Sequence, residues 1–283
     1  MPYSKYKEGT NMIINHNLNA LNAHRNIGIN NTAAGKAMEK LSSGLRINRA
    51  GDDAAGLSIS EKMRAQIRGL DQGARNAQDG ISLIQTAEGG LNETHAILQR
   101  MRELAVQAAN DTNQEEDRKA IKAEIDELLS EIDHIANSTT FNGQNLLNAS
   151  ASLTLQIGPG TDHDSLALNL SDFKADKASL KLSNLSVGTN GEATNSIKLI
   201  DDAIETVSTA RAKLGANQNR LEHTITNLNT MSENLTASES RIRDVDMAKE
   251  MMNFSKNSIL TQAAQAMLAQ ANQQPQGVLQ LLR

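Results

Sequence analysis

MRAQIRGLDQGARNAQDGISLIQTAEGGLNETHAIL, residues 63–98, is the stretch on which the fold turns. Met63, Ile67, Leu70, Ala74, Ala77, Ile81, Ile84, Leu91 and Leu98 fall on one 4,3 repeat, with Glu88 and His95 as its polar interruptions. A second stripe runs beside it through Leu83, Ala87, Gly90, Thr94, Ile97, Met101, Leu104 and Ala108. Two adjoining stripes predict a helix buried on two sides, as in a bundle rather than a two-stranded coil. A helix over about 57–112 would be about 84 Å long at about 1.5 Å per residue. A compact chain of this length is only about 50 Å across, so the pattern predicts a rod.

The same period recurs on both sides of this stretch. Ile121, Ile125, Leu128, Ile132 and Ile135 predict a helix near 115–137, with Asn113 and Glu116 as its capping start. Ile197, Ile200, Ile204, Val207, Leu214, Leu221, Ile225, Leu228, Leu235 and Ile242 make a third long repeat. Arg211, Gln218, Ser232 and Glu239 interrupt it, and polar residues in a seam fix register at a cost in stability. The fold class is therefore mainly α: a long antiparallel helical bundle or coiled-coil rod. A small β-hairpin region separates its N- and C-terminal halves.

That hairpin is predicted at about 153–170. Leu153, Leu155 and Ile157 alternate with polar residues, Gly158-Pro159-Gly160 turns the chain, and Leu166, Leu168 and Leu170 alternate again. Leu180, Leu182, Leu185 and Val187 predict short extended pieces, and the small polar stretch 188–195 reads as a loop. The two ends are different. Residues 12–45 and 245–283 carry small, weakly hydrophobic stripes among many Asn, Gln and Ser. Such stripes bury too little area to hold a lone helix against its ordering entropy. Both ends need a partner, either each other or another copy of the chain.

Composition agrees and excludes several classes. Aromatic residues are 2 % of the 283, so the core must be built from Leu, Ile, Val, Ala and Met. The only prolines are Pro2, Pro159 and Pro275, leaving two very long stretches with no obligatory helix breaker. Lys and Arg number 28 against 33 Asp and Glu, for a net charge of −5. These charges are interspersed, which argues against a nucleic-acid partner. No apolar run approaches the roughly 18 residues needed for membrane insertion. The N-terminus has no apolar signal-peptide segment, so no cleaved leader is expected. Cys is absent, which fits either chance in a cytosolic protein or a life in an oxidising exterior.

The usual signatures of phosphate binding, dinucleotide binding, zinc proteolysis and serine hydrolysis are missing, and no enzyme, cofactor or metal site is expected. Asp162-His163-Asp164 has metal-ligating groups but reads as a polar turn. His95 and His134 read as partly buried structural histidines rather than ligands, and Asp52-Asp53 as a helix N-terminal cap before Ala54.

LSSGLRINRAGDDAAGL (41–57) resembles the N-terminal signature of bacterial flagellins. DGISLIQTAEGGLNETHAILQRMRELAVQAAN (79–110), SRIRDVDMAKEM (240–251) and QAMLAQANQQPQGVLQLLR (265–283) are similar to further segments of that family. The resemblance spans nearly all of 12–283. It implies a structural subunit of an extracellular filament, exported unfolded and polymerised head-to-tail into a helical tube for swimming. Weakly hydrophobic ends suit that route, since they stay disordered until a neighbour supplies burial. Implied partners are further copies of the chain, the flagellar type III export apparatus, a secretion chaperone, and the filament cap and junction proteins.

The implied organisation is a filament-core domain from 12–56 and 244–283, and a rod domain from 57–187 and 196–243. The loop at 188–195 stands where larger relatives insert outer domains. Residues 1–11 precede the usual family start and hold both tyrosines. They read as the product of an upstream start codon. Arg46, Asp52 and Asp53, near the junction of core and rod, are the expected register-setting contacts. The resemblance also implies that LQRMRELAVQ (98–107) meets a vertebrate Toll-like flagellin receptor through Arg100 and Leu104, with Glu124 from the adjoining helix. Met101 stands where Val is more usual. A hook–filament junction protein shares such termini but is expected to have a larger middle. A cytosolic coiled-coil signalling rod fits the heptads but not the motifs at 41–57 and 265–283.

Overall fold

A computed structural model describes residues 17–160 and 164–281. Residues 1–11 and the candidate ligands Asp162 and His163 lie outside the described residues. Five helices carry most of the chain: α1 (Leu18–Ser43), α2 (Ala54–Ala108), α3 (Glu115–Ser138), α4 (Asn190–Arg243) and α5 (Met247–Leu281). Between α3 and α4 lie two antiparallel pairs, β1 (Thr140–Phe141) with β2 (Gln144–Asn145) and β3 (Ser152–Gln156) with β4 (Ser165–Asn169). The chain divides into a terminal unit, Met1–Met63 with Ala237–Arg283, and a central unit, Arg64–Thr236.

The central unit has a continuous aliphatic core. Both stripes of α2 turn inward: Leu91 and Leu98 from one and Met101 and Leu104 from the other are at most 2 % exposed. Ile125 and Ile132 of α3 and Ile200, Val207, Leu214 and Leu221 of α4 join them in one cluster. Polar interruptions of the α4 repeat meet polar residues of α2. Arg211 lies 3.7 Å from Glu88, and the Ser232 hydroxyl donates to Asp71 at 2.9 Å. Such pairs penalise a slip of one helix along the other.

The hairpin matches its expected position, with Leu153 opposite Leu168 and Leu155 opposite Leu166. It packs directly on glycines of α2. A β-carbon added at Gly73 would stand 2.7 Å from the Ile157 carbonyl oxygen, and one at Gly69 would stand 2.6 Å from Cβ of Pro159. Asn76 Nδ2 donates to the Gln156 carbonyl at 2.7 Å.

The structure corrects four local expectations. The segment holding Leu180, Leu182, Leu185 and Val187 is a compact turn with a single 3₁₀ stretch at Leu182–Asn184, not extended strand. All four side chains are buried, which irregular chain can achieve as well as a sheet can. The stretch 188–195 is not wholly loop, because α4 begins at Asn190. The Thr189 hydroxyl accepts from the Glu192 amide at 3.3 Å, and Ala193 is fully buried. α3 is capped one residue later than expected: the Asp117 carboxylate accepts from the Gln114 amide at 3.0 Å, while Asn113 Nδ2 donates to the Gln107 carbonyl. His134 is an exposed residue beside Glu131 rather than a structural one, whereas His95 is half-buried and meets Gln99 at 3.0 Å.

In the terminal unit α1 packs on α5. The groups it buries are small: Ala23 and Ala37 on α1, Thr261 and Ala271 on α5. Asn17 starts α1 by accepting from the Ala20 amide at 3.1 Å, and its Nδ2 donates to the Ala271 carbonyl.

Candidate functional site

The expected register residues converge where α1 gives way to α2 and α4 to α5. Gly44 ends α1 in the left-handed region, φ 72°, and its amide donates to the Lys40 carbonyl at 2.9 Å. The chain then runs antiparallel to the α4–α5 connection. The Val245 amide donates to the Gly44 carbonyl at 3.0 Å and the Arg46 amide to the Arg243 carbonyl at 2.6 Å. Arg46 Nε adds a bond to the Ile242 carbonyl at 3.1 Å, satisfying an acceptor at the end of α4. Arg46 thus holds one connection to the other.

Asp52 and Asp53 divide the turn between them. Asp52 accepts from the amides of Arg49, at 3.0 Å, and Asn48, at 3.2 Å. These two bonds hold its carboxyl below the ordinary value of 3.8. Asp53 caps α2: its Oδ1 accepts from the Gly56 amide at 2.8 Å. Arg46 Nη1 stands 4.0 Å from Asp53, so the pair is loose. All three expected residues meet in one join.

Other residues of the join went unread in the sequence. Ser60 is fully buried and donates to Glu239 at 2.9 Å. Arg243, its side chain only 12 % exposed, bonds Glu61 at 2.8 Å. Glu39 pairs with Arg49 at 2.9 Å. Gly56 leaves room for Ile47, since a β-carbon there would lie 2.8 Å from Ile47 Cδ1 and would also run into Asp53 Oδ2. A glycine one turn into a helical pattern, after an Asp pair, was a usable signal for that close approach.

On the central unit, Arg100 and Glu124 meet. Arg100 Nε and Nη2 both donate to one Glu124 oxygen, at 3.1 and 2.9 Å, and Nη1 reaches Glu103 at 3.2 Å. Hydrogen bonding to Glu124, then to Glu103, raises the guanidinium's pKa further above its ordinary value. Leu104 is not on that face. It is 2 % exposed and belongs to the core, as does Met101. Asp164 accepts from the Gly160 amide at 2.6 Å. Among the described residues no group of three acidic, His or Cys side chains is arranged to hold a metal, and no helix is long and apolar enough to cross a membrane.

The terminal unit is unusual in what it leaves uncovered. Of thirteen exposed large apolar side chains among the described residues, eleven lie in it: Leu18, Leu21, Ile29, Met38, Ile59, Met247, Met251, Met252, Ile259, Leu260 and Met267. A helical subunit with its two ends paired and their large apolar groups outward defines a class: structural proteins completed by their neighbours. Comparison with known proteins gives the family. The bacterial flagellin N-terminal helical region matches residues 14–152, and the bacterial flagellin C-terminal helical region matches residues 197–282. The chain is 62 % identical over 274 residues to a flagellin of Halalkalibacterium halodurans, covering 96 % of this chain and all of the relative. It is 55 % identical over 305 residues to a flagellin of Bacillus subtilis, again covering 96 % of this chain and all of the relative. A structure of a putative flagellar hook-associated protein from Vibrio parahaemolyticus shares the fold, with TM-score 0.54 and 16 % identity over 68 % of this chain and all of that one.

The chain belongs to the bacterial flagellin family. It is a structural subunit of the flagellar filament outside the cell, polymerises with itself, and is not an enzyme.

Proposed function

We propose that copies of the chain stack through the outward faces of α1 and α5, and that Arg46, Asp52 and Asp53 set the register of the stack. One observation carries this reading: α5 leaves Met247, Met251, Met252, Ile259, Leu260 and Met267 exposed and, among its described side chains, buries only Thr261 and Ala271. Thr261 and Ala271 face inward, whereas Met252, Ile259, Leu260 and Met267 are 41–66 % exposed. Spacings of seven and eight align those four in one stripe along the helix, which at Met267 borders the groove to α1 lined by Ala23 and Ala271. A free subunit gains nothing from that arrangement, and a second copy that lays a different uncovered face against it, that of α1 with Leu18, Leu21, Ile29 and Met38, supplies the missing burial. Head-to-tail contacts of this kind do not close on themselves and give an open filament. On this reading the terminal unit is the filament core, and export precedes folding of α1 and α5 through the type III apparatus. A chaperone would cover the apolar ends in the cell, and cap and junction proteins would meet the filament's two ends.

Charge reversal tests the join. Asp53→Lys removes the α2 cap and puts a cation beside Arg46. Filament yield should collapse while the helical circular dichroism of the monomer is largely kept. Unchanged yield removes Asp53 from register setting. A second surface has its own observation. The Arg100–Glu124 pair presents an exposed, preorganised charge pattern at the position the family resemblance gives to the Toll-like receptor contact. Leu104 would then act from beneath, holding the backbone under Arg100.

A further inference from the structure

Sulfur chemistry in this chain is confined to one residue type. There are ten Met and no Cys, and no Trp. Among the described residues the methionines span a wide range of exposure, with Met38, Met231, Met247 and Met251 in between at 47–50 %. Met101 is fully buried in the central core, whereas Met252 and Met267 are 66 % and 65 % exposed. Both side chains are largely exposed on α5, as are Ile259 and Leu260, and Met267 borders the open groove between α5 and α1 beside Ala23 and Ala271.

We infer that Met252 and Met267 are oxidation-sensitive positions of the assembly face, where a peroxide-class oxidant converts the free subunit to an assembly-incompetent form. The inference rests on the reading of α5 as a stacking surface. The step is balanced: the thioether sulfur attacks one peroxide oxygen, the O–O bond breaks, the sulfoxide S–O bond forms, and the other oxygen leaves as water. Sulfur loses two electrons and the peroxide gains them. A flexible apolar side chain becomes a polar one with a strong acceptor. In an apolar contact that acceptor has no donor, and an unsatisfied buried polar group opposes burial. Once subunits have stacked, the same sulfurs are covered and react slowly. The sensitive interval lies between export and incorporation. With no thiol to react first, the oxidant falls on exposed thioethers.

The test compares purified monomer and preformed filament of the full chain, each exposed to dilute hydrogen peroxide and then to peptide mass analysis. In the monomer Met252 and Met267 should gain one oxygen at least about tenfold faster than Met101, which serves as an internal control for burial. Seeded polymerisation of the oxidised monomer should need about tenfold more protein than the untreated monomer. The double variant M252L/M267L should polymerise equally well before and after peroxide. Should that variant assemble poorly untreated, repair of the oxidised natural chain by the two methionine sulfoxide reductases must restore polymerisation. Normal polymerisation by monomer oxidised at both positions overturns the inference and leaves the stacking surface standing. Equal oxidation of Met252 and Met267 in filament and monomer overturns the stacking surface itself. Loss of assembly that neither leucine substitution nor reductase repair prevents assigns the damage elsewhere and also overturns the inference.

Discussion

The two units of this chain are built from the same kinds of helix and treat their apolar side chains in opposite ways. Of forty buried apolar residues among those described, thirty-six lie in the central unit and four in the terminal unit. Those four are Ala23, Ala37, Ile47 and Ala271, so only one is large. The exposed large apolar residues divide eleven to two the other way. The difference teaches that the chain keeps one core for itself and leaves the other to be completed. Apolar area that stays wet contributes nothing to the monomer, and it contributes at about 25 cal/mol per Å² when a neighbour covers it.

The largest effect that could break this contrast is a pair of truncations. Leu98→Ala empties a fully buried site in the central unit and should destabilise the monomer by about 2–5 kcal/mol. Ile259→Ala removes a side chain that is 64 % exposed and should change monomer stability by no more than about 0.5 kcal/mol while depressing polymerisation. Chemical denaturation of monomers, paired with seeded polymerisation, reads both. A monomer as badly destabilised by Ile259→Ala as by Leu98→Ala would show that the terminal unit has a closed core of its own.

Glycines sharpen the contrast at smaller scale. Gly73→Ala drives a methyl group against the hairpin backbone, 2.7 Å from the Ile157 oxygen, and should cost about 1–3 kcal/mol. Gly35 of α1 has nothing within 4 Å of its would-be β-carbon. Gly35→Ala should therefore stabilise the monomer by about 0.5–1 kcal/mol through better helix propensity. If that stabilised monomer also polymerises poorly, the space beside Gly35 belongs to a neighbouring subunit. Thermal melts and filament yield separate the two outcomes.

Much of this was legible because period reports burial directly. The two stripes of α2 point into the core, and the alternation at 153–157 and 166–170 is that of a half-buried hairpin. The misses are instructive because some of their signals were present. Thr189 and Glu192 stand at capping-box spacing, and Asn142-Gly143 is a two-residue turn signal, with φ of 49° and 77° joining β1 to β2. At 188–195 composition outweighed the cap signal, since small polar residues read as loop, and the turn signal at 142–143 went unread. The leucines at 180–185 have a spacing that fits strand and compact turn alike, and only the tertiary fold decides between them. At the join, Arg46, Asp52 and Asp53 were visible through a motif. Ser60 with Glu239 was not, because a pair 179 positions apart leaves no local trace. Leu104 was placed by resemblance on a recognition face, while its own stripe put it in the core, and the structure follows the stripe.

A finer distinction concerns the surface of the central unit, which is finished in the monomer and so available to a partner of another kind. Arg100→Ala removes the exposed pair with Glu124 and should leave the melting temperature and polymerisation essentially unchanged, because a surface pair contributes little to stability. Activation of a flagellin-receptor reporter by free monomer should fall. Full activity in that reporter would take Arg100 out of the contact. Loss of polymerisation would instead show that this face is also used between subunits.

The smallest expected effect lies in the join and is read through pH. Asp52 titrates below 3.8 in the folded chain because the Arg49 and Asn48 amides bond its ionised form. A group whose folded pKa is depressed supports the fold above its unfolded value and loses that support as pH falls through the folded value. The turn at 48–52 should therefore be held at neutral pH and loosen only below about pH 4. Hydrogen exchange at the Asn48 and Arg49 amides, corrected for intrinsic rates, should show protection that fades in that range. Asp52→Asn should lack the acid-dependent part at every pH, since its amide oxygen accepts without a charge to lose. The α2 amides around Leu91 and Leu98 should keep their protection over the same interval, the central unit's own depressed carboxyl being Asp176, which accepts from the Ser179 amide and hydroxyl between β4 and α4. If the amides of the central core open in step with Asn48 and Arg49, the two units respond to acid as one. The division between a finished core and an unfinished one would then be a division of packing without a matching division of stability.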